Sequence, residues 1–118
     1  MRFLSFLIAL LLLVACAGQT APETPASRGQ RLFTIYCSGC HSETSNSLGP
    51  DLAEIRERAA ANSKGLSKAE WLRKATIDPG SDVAPGYQNN LMPRNYGTSL
   101  SPDELDALVA YMVEDEGQ

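Results

Sequence analysis

The stretch Cys37-Ser38-Gly39-Cys40-His41 decides how the rest of the chain is read. Two cysteines three positions apart on one turn of backbone can each form a thioether with a vinyl arm of the same porphyrin. The adjoining histidine then lies under the iron. Such a site goes with three other features: an export signal, a distal iron ligand about fifty residues on, and a short helical domain. The chain offers candidates for all three.

Two other readings of the motif meet obstacles in the sequence around it. A thiol/disulfide centre needs a strand leading into the cysteine pair and a βαβ frame around it. The residues ahead of the pair, Gly29, Leu32, Phe33 and Tyr36, recur at helical spacing instead. A structural zinc needs four ligands, and Cys37, Cys40 and His41 have no second histidine to join them.

The 118 residues suffice for one domain. The chain opens with Met1-Arg2 and an apolar run from Phe3 to Val14 broken only by Ser5. That run falls short of the roughly 20 residues a membrane span takes and has the proportions of a signal peptide over residues 1–15. It ends in Leu13-Val14-Ala15-Cys16, which resembles the bacterial lipobox, whose cysteine is acylated and becomes the mature N-terminus. An ordinary signal peptide cut after Ala15 or Ala17 is the alternative. Cysteine arithmetic favours acylation: Cys37 and Cys40 go to haem, and Cys16 to lipid leaves no odd thiol in an exported protein. Several acyl chains anchor stably where one is marginal. The expected location is the periplasmic side of a bacterial membrane, with the domain lipid-anchored at its surface.

Residues 16–27 are polar and broken by proline and read as a tether. The eleven residues from Ala17 to Ser27 reach at most about 35–40 Å. Losing Arg2 with the signal would take the formal charge from −4 to −5, which argues against nucleic acid, whose binders carry a basic surface. No Lys or Arg follows Arg94, whereas Asp103, Glu104, Asp106, Glu114, Asp115 and Glu116 crowd the C-terminal end. That acidic end reads as a solvated helix face that could also orient a partner.

The periodicity predicts helices from Ala26 or Ser27 to Tyr36 and from Asp51 to about Asn62. Two capping boxes, Ser67 to Glu70 and Ser101 to Glu104, open two more. In the last helix Leu105, Leu108, Val109, Met112 and Val113 form the clearest amphipathic stripe, so Met112 reads as core. Residues 81–99 show no period and read as a long loop, which in a compact domain is usually functional. Within it Met92 precedes Pro93, which biases its backbone away from helix. Candidates for a distal ligand are few, because the chain holds a single histidine. An ordinary packing role for Met92 stays open. Trp71, the single tryptophan, either contacts the porphyrin or a propionate, or packs in the core.

Gly29 four residues ahead of Phe33, the Cys-x-x-Cys-His motif, Leu48-Gly49-Pro50, the run Pro85-Gly86-Tyr87 through Met92-Pro93 to Tyr96-Gly97, and Tyr111 together resemble the single-haem class I c-type cytochromes. The resemblance covers about residues 28–114, within a domain taken as 28–118. It implies an all-α fold of four or more short helices around one covalent haem c. It implies close crossing of the first and last helices at Gly29, with Tyr111 packed near Phe33. It further implies that the Pro50 carbonyl accepts a hydrogen bond from His41 Nδ1, that Met92 is the axial methionine, and that Asn95 and Tyr96 flank the haem edge. The function implied is electron transfer by a monomer rather than catalysis, between membrane complexes of respiration or photosynthesis. A quinol-oxidising complex upstream and a terminal haem-copper oxidase downstream are the partners expected. Two other classes remain open: a five-coordinate haem sensor or weak peroxidase if Met92 does not bind, and a thiol/disulfide module if haem is absent.

Overall fold

Short-range capping chemistry cuts this chain into helices at defined places, and a computed structural model describes residues 22–42, 48–62 and 64–114 of it. Helix α1 spans Pro25–Tyr36, α2 Leu52–Ala61, α3 Lys68–Ile77, α4 Tyr96–Ser99 and α5 Pro102–Val113, with a 3₁₀ turn at Pro79–Ser81. Among the described residues no β-strand occurs. The signal segment and Cys16 lie outside the described residues, as do residues 43–47 of the loop after the motif and the acidic tail from Asp115.

α1 starts earlier than the periodicity predicts. The helix begins at Pro25, inside the stretch read above as tether, because Thr24 and Ser27 form a capping box with Pro25 at the first helical position. Ser27 N–H donates to Thr24 Oγ1 at 3.1 Å, and Thr24 N–H donates to Ser27 Oγ at 3.0 Å. Each of the other long helices begins on a side-chain cap: Asp51 accepts from Glu54 N–H, and the Ser67 and Ser101 boxes form as expected. Such caps typically contribute about 1 kcal/mol each.

The largest interface joins α1 to α5. Gly29 makes it possible: a Cβ there would lie 2.8 Å from Tyr111 Cβ, 2.7 Å from the Ala107 carbonyl carbon and closer still to its oxygen. The glycine's helix-propensity cost of roughly 1 kcal/mol is therefore offset by backbone contact that no larger residue permits. One turn on, Phe33 meets Tyr111 edge-on with ring centroids 5.5 Å apart, a geometry the ring quadrupoles favour. Phe33, Leu52, Leu72 and Leu108 are the largest fully buried side chains, each stabilising by roughly 1.5–3 kcal/mol through burial.

α2 closes onto this pair through Arg56. Its Nε donates to the Met112 carbonyl at 3.2 Å and its Nη2 to the Tyr111 carbonyl at 3.3 Å, with the guanidinium 5.7 Å from the centre of the Tyr111 ring. α5 carries no basic residue in its own last turn, so a cation from another helix caps its carbonyl end. α3 packs between α2 and α5 and presents Trp71, Leu72 and Thr76 inward.

Candidate haem site

At the end of α1 the backbone tightens into the motif. The N–H groups of Cys37 and Ser38 both donate to the Phe33 carbonyl, and those of Cys40 and His41 both donate to the Cys37 carbonyl. The two thiols and the imidazole are thus fixed on consecutive turns of one segment. Gly49 N–H donates to the Cys40 carbonyl and Leu52 N–H to that of Ser42, which brings the Gly49-Pro50 segment back against the histidine.

The imidazole is held on two sides. Nδ1 lies 2.8 Å from the Pro50 carbonyl oxygen, which can only accept, so Nδ1 is the donor of this bond and Nε2 is the ring nitrogen not engaged by it. A Cβ on Gly49 would come 2.5 Å from His41 Cε1, so only glycine lets the ring lie against this backbone. A metal-binding histidine is usually oriented by this kind of bond on its other nitrogen.

Cys37, Cys40, His41, Pro50 and Met92 line one cavity of about 330 Å³. Its walls are mostly apolar: Ile55 from α2, Trp71, Leu72 and Ala75 from α3, Leu108 and Met112 from α5, and Val83, Ala84 and Leu91 from the loop. Volume and lining both suit a small-molecule cofactor site. Leu48 and Leu91 line it while remaining 58% and 52% exposed, so a flat apolar ligand seated there covers side chains that otherwise face water. Before any bond forms at Cys37, burial with Cys40 beside it pushes the thiol up to about 11. It is then neutral at pH 7 and a weak nucleophile.

Met92 reaches the cavity on a loop shaped by left-handed positions. Pro85-Gly86 forms a turn in which Tyr87 N–H donates to the Ala84 carbonyl at 3.1 Å, and Gly86 takes φ 86°, as a type II turn requires at its third residue. Asn90 is also left-handed at φ 70°, its N–H donating to Asn89 Oδ1. Past Met92, the residues read as loop contain the single-turn helix α4, and the Tyr96 hydroxyl donates to the Tyr36 carbonyl at 3.1 Å. Tyr96 thereby pins the end of the methionine loop to the last residue of α1 before the motif, and it lines the cavity. Asn95 is exposed, outside the lining residues, and makes no side-chain cap to α4. Met112 keeps its core position, 5% exposed, while also contributing to the cavity wall.

Trp71 is 6% exposed and lines the cavity, but its indole N–H does not stand free for a propionate: it donates to Asp82 Oδ2 at 3.0 Å. Asp82 also pairs with Arg58 at 2.9 Å and Lys64 at 3.2 Å, and Arg58 stacks 5.8 Å above the Trp71 ring. Sequence reasoning missed this cluster. No motif marks it, because its members at 58, 64, 71 and 82 come from α2, the loop after it, α3 and the segment following the 3₁₀ turn.

The alternatives weighed above lose their frames here. No strand leads into the cysteine pair, and among the described residues no group of three or more His, Cys, Asp or Glu side chains is placed to hold a metal ion by itself. No described helix is long and apolar enough to cross a membrane.

A helical domain with paired thiols, an oriented histidine and a methionine around one apolar cavity defines a c-type haem protein. Residues 26–114 match the family model described as Cytochrome c, and the chain belongs to that family. No curated protein and no solved structure matches it. The fold is the all-α cytochrome c fold of a class I c-type cytochrome, the cofactor is covalent haem c, and Cys37 and Cys40 fit its attachment motif. The chain is a haem-based electron-transfer protein, of a family whose members are typically carriers and not enzymes.

Proposed function

We propose that the chain is a single-haem electron carrier whose haem is attached at Cys37 and Cys40 and held axially by His41 Nε2 and Met92. The observation that carries the reading is the convergence of all four side chains on one cavity, with His41 Nδ1 already committed to Pro50. Haem supplies a one-electron couple at its iron when bound. Pro50 orients His41 and strengthens it as a donor. A methionine thioether is a soft ligand that favours the reduced state. With His41 and Met92 both bound, the iron would have no position left for oxygen or peroxide, which would set a carrier apart from a sensor or a peroxidase. Met92 is favoured over Met112 because it lies on a loop whose turns carry it to the cavity. Met112 is held in α5, its carbonyl bonded to Arg56.

The lipobox-like Leu13-Val14-Ala15-Cys16 and the polar segment after it support an exported, lipid-anchored carrier working at the periplasmic membrane surface. A quinol-oxidising complex and a terminal oxidase are the partners that suit such a tether. Met92→Ala should lower the reduction potential and open a ligand position, whereas Met112→Leu should do neither. An unchanged potential in Met92→Ala, or a large drop in Met112→Leu, would reassign the ligand.

A further inference from the structure

We propose that Asp82 is a positioning and charge-setting residue for the haem: it fixes Trp71 and Arg58 in the cavity wall and supplies a negative charge there that lowers the reduction potential. This rests on the reading that the cavity holds the haem, and it deepens that reading by assigning the wall away from the cysteine motif.

The geometry places Asp82 at a junction. One carboxylate oxygen accepts from Arg58 at 2.9 Å, and the other accepts from the Trp71 indole at 3.0 Å and faces Lys64 at 3.2 Å. Asp82, Arg58 and Trp71 all line the cavity. The side chains of Asp82 and Arg58 are only 27% and 22% exposed, so solvent screens them less than a surface pair. Burial works against the charge on Asp82, but the bonds from Trp71 and Lys64 and the charges of Lys64 and Arg58 outweigh it and hold the carboxyl below its ordinary range. The carboxylate is therefore ionised at neutral pH.

Two consequences follow. Asp82 joins α2, α3 and the segment that becomes the methionine loop, with Lys64 adding a bond from its Nζ to the Ser81 carbonyl at 3.2 Å. It also balances Arg58 beside the cofactor. Oxidised haem carries one more positive charge than reduced haem, so a nearby anion favours the oxidised state and a nearby unbalanced cation the reduced one. Removing the Asp82 charge leaves Arg58, in the cavity wall, and Lys64 without this counter-charge.

Asp82→Asn tests this in the haem-loaded protein, because the amide oxygen still accepts from Trp71 while the charge is lost. Asp103→Asn, an exposed carboxylate in the first turn of α5, is the control for net charge. The expected result is an upward shift of the reduction potential clearly larger than in the control, with oxidised and reduced visible spectra like those of the parent. A shift no larger than the control's would overturn the assignment. Arg58→Gln provides a second reading with opposite sign: removing the cation should shift the potential downward, and an unchanged or raised potential would count against it. Each shift is measured against the parent protein whatever its sixth ligand, so these failures bear on Asp82 and not on Met92.

Discussion

The α1–α5 crossing and the segment from Asp78 to Asn95 are built on opposite principles. The crossing is completed by the chain itself: backbone touches backbone at Gly29, Phe33 meets Tyr111, and Arg56 satisfies the carbonyls of Tyr111 and Met112. The loop segment buries one side chain, Ala84, and is held mostly by polar anchors at its ends, Asp82 at one and the Tyr96 hydroxyl of α4 at the other. Its apolar residues Val83, Leu91 and Met92 line the cavity. One half of the domain is packed by protein, and the other presents its apolar side chains to the haem cavity. A small domain buries a lower share of its surface than a large one, and the difference shows where a bound cofactor would add apolar contact.

The largest expected effect breaks the cofactor-dependent half. Cys37→Ala with Cys40→Ala removes both thioether links, and the yield of stable protein carrying covalent haem should fall to little or nothing. The check is haem that stays with the chain after denaturation. Normal recovery of covalently loaded protein from the double variant would contradict the division drawn here.

A smaller effect comes from the protein-packed half. Gly29→Val drives a branched side chain into the Ala107 backbone, which cannot swing aside as a flexible side-chain tip can. Overpacking of this kind typically costs about 1–3 kcal/mol. The loss should appear in thermal unfolding of the haem-loaded protein, while its visible spectrum stays that of the parent because Gly29 is not among the cavity-lining residues. A changed spectrum with unchanged stability would reverse the comparison.

These two halves were unequally legible in the sequence. Helices α1 and α5 were each readable because helical period and, for α5, a Ser-x-x-Glu box are local signals, while their crossing at Gly29 came through the family resemblance. The start of α1 fell one or two residues early for a local reason too: Ser27 stands where the usual box has Glu or Gln, yet its hydroxyl accepts from Thr24 N–H. In the loop, Met92 and Pro50 could be placed through the family resemblance. The Asp82 junction could not, since its charges are scattered over twenty-five positions and only folding brings them together. For the same reason Trp71 was left between core and propionate, although its N–H is committed to Asp82.

The central claim is that the chain supplies both axial ligands, His41 and Met92, and carries electrons without opening its iron. The most direct test is to reduce the parent protein at neutral pH, add carbon monoxide and follow the visible spectrum. The account predicts a reduced spectrum that carbon monoxide leaves essentially unchanged. Rapid and complete conversion to a carbon monoxide adduct would mean that Met92 only packs in the cavity and that the iron stands open, which would contradict it.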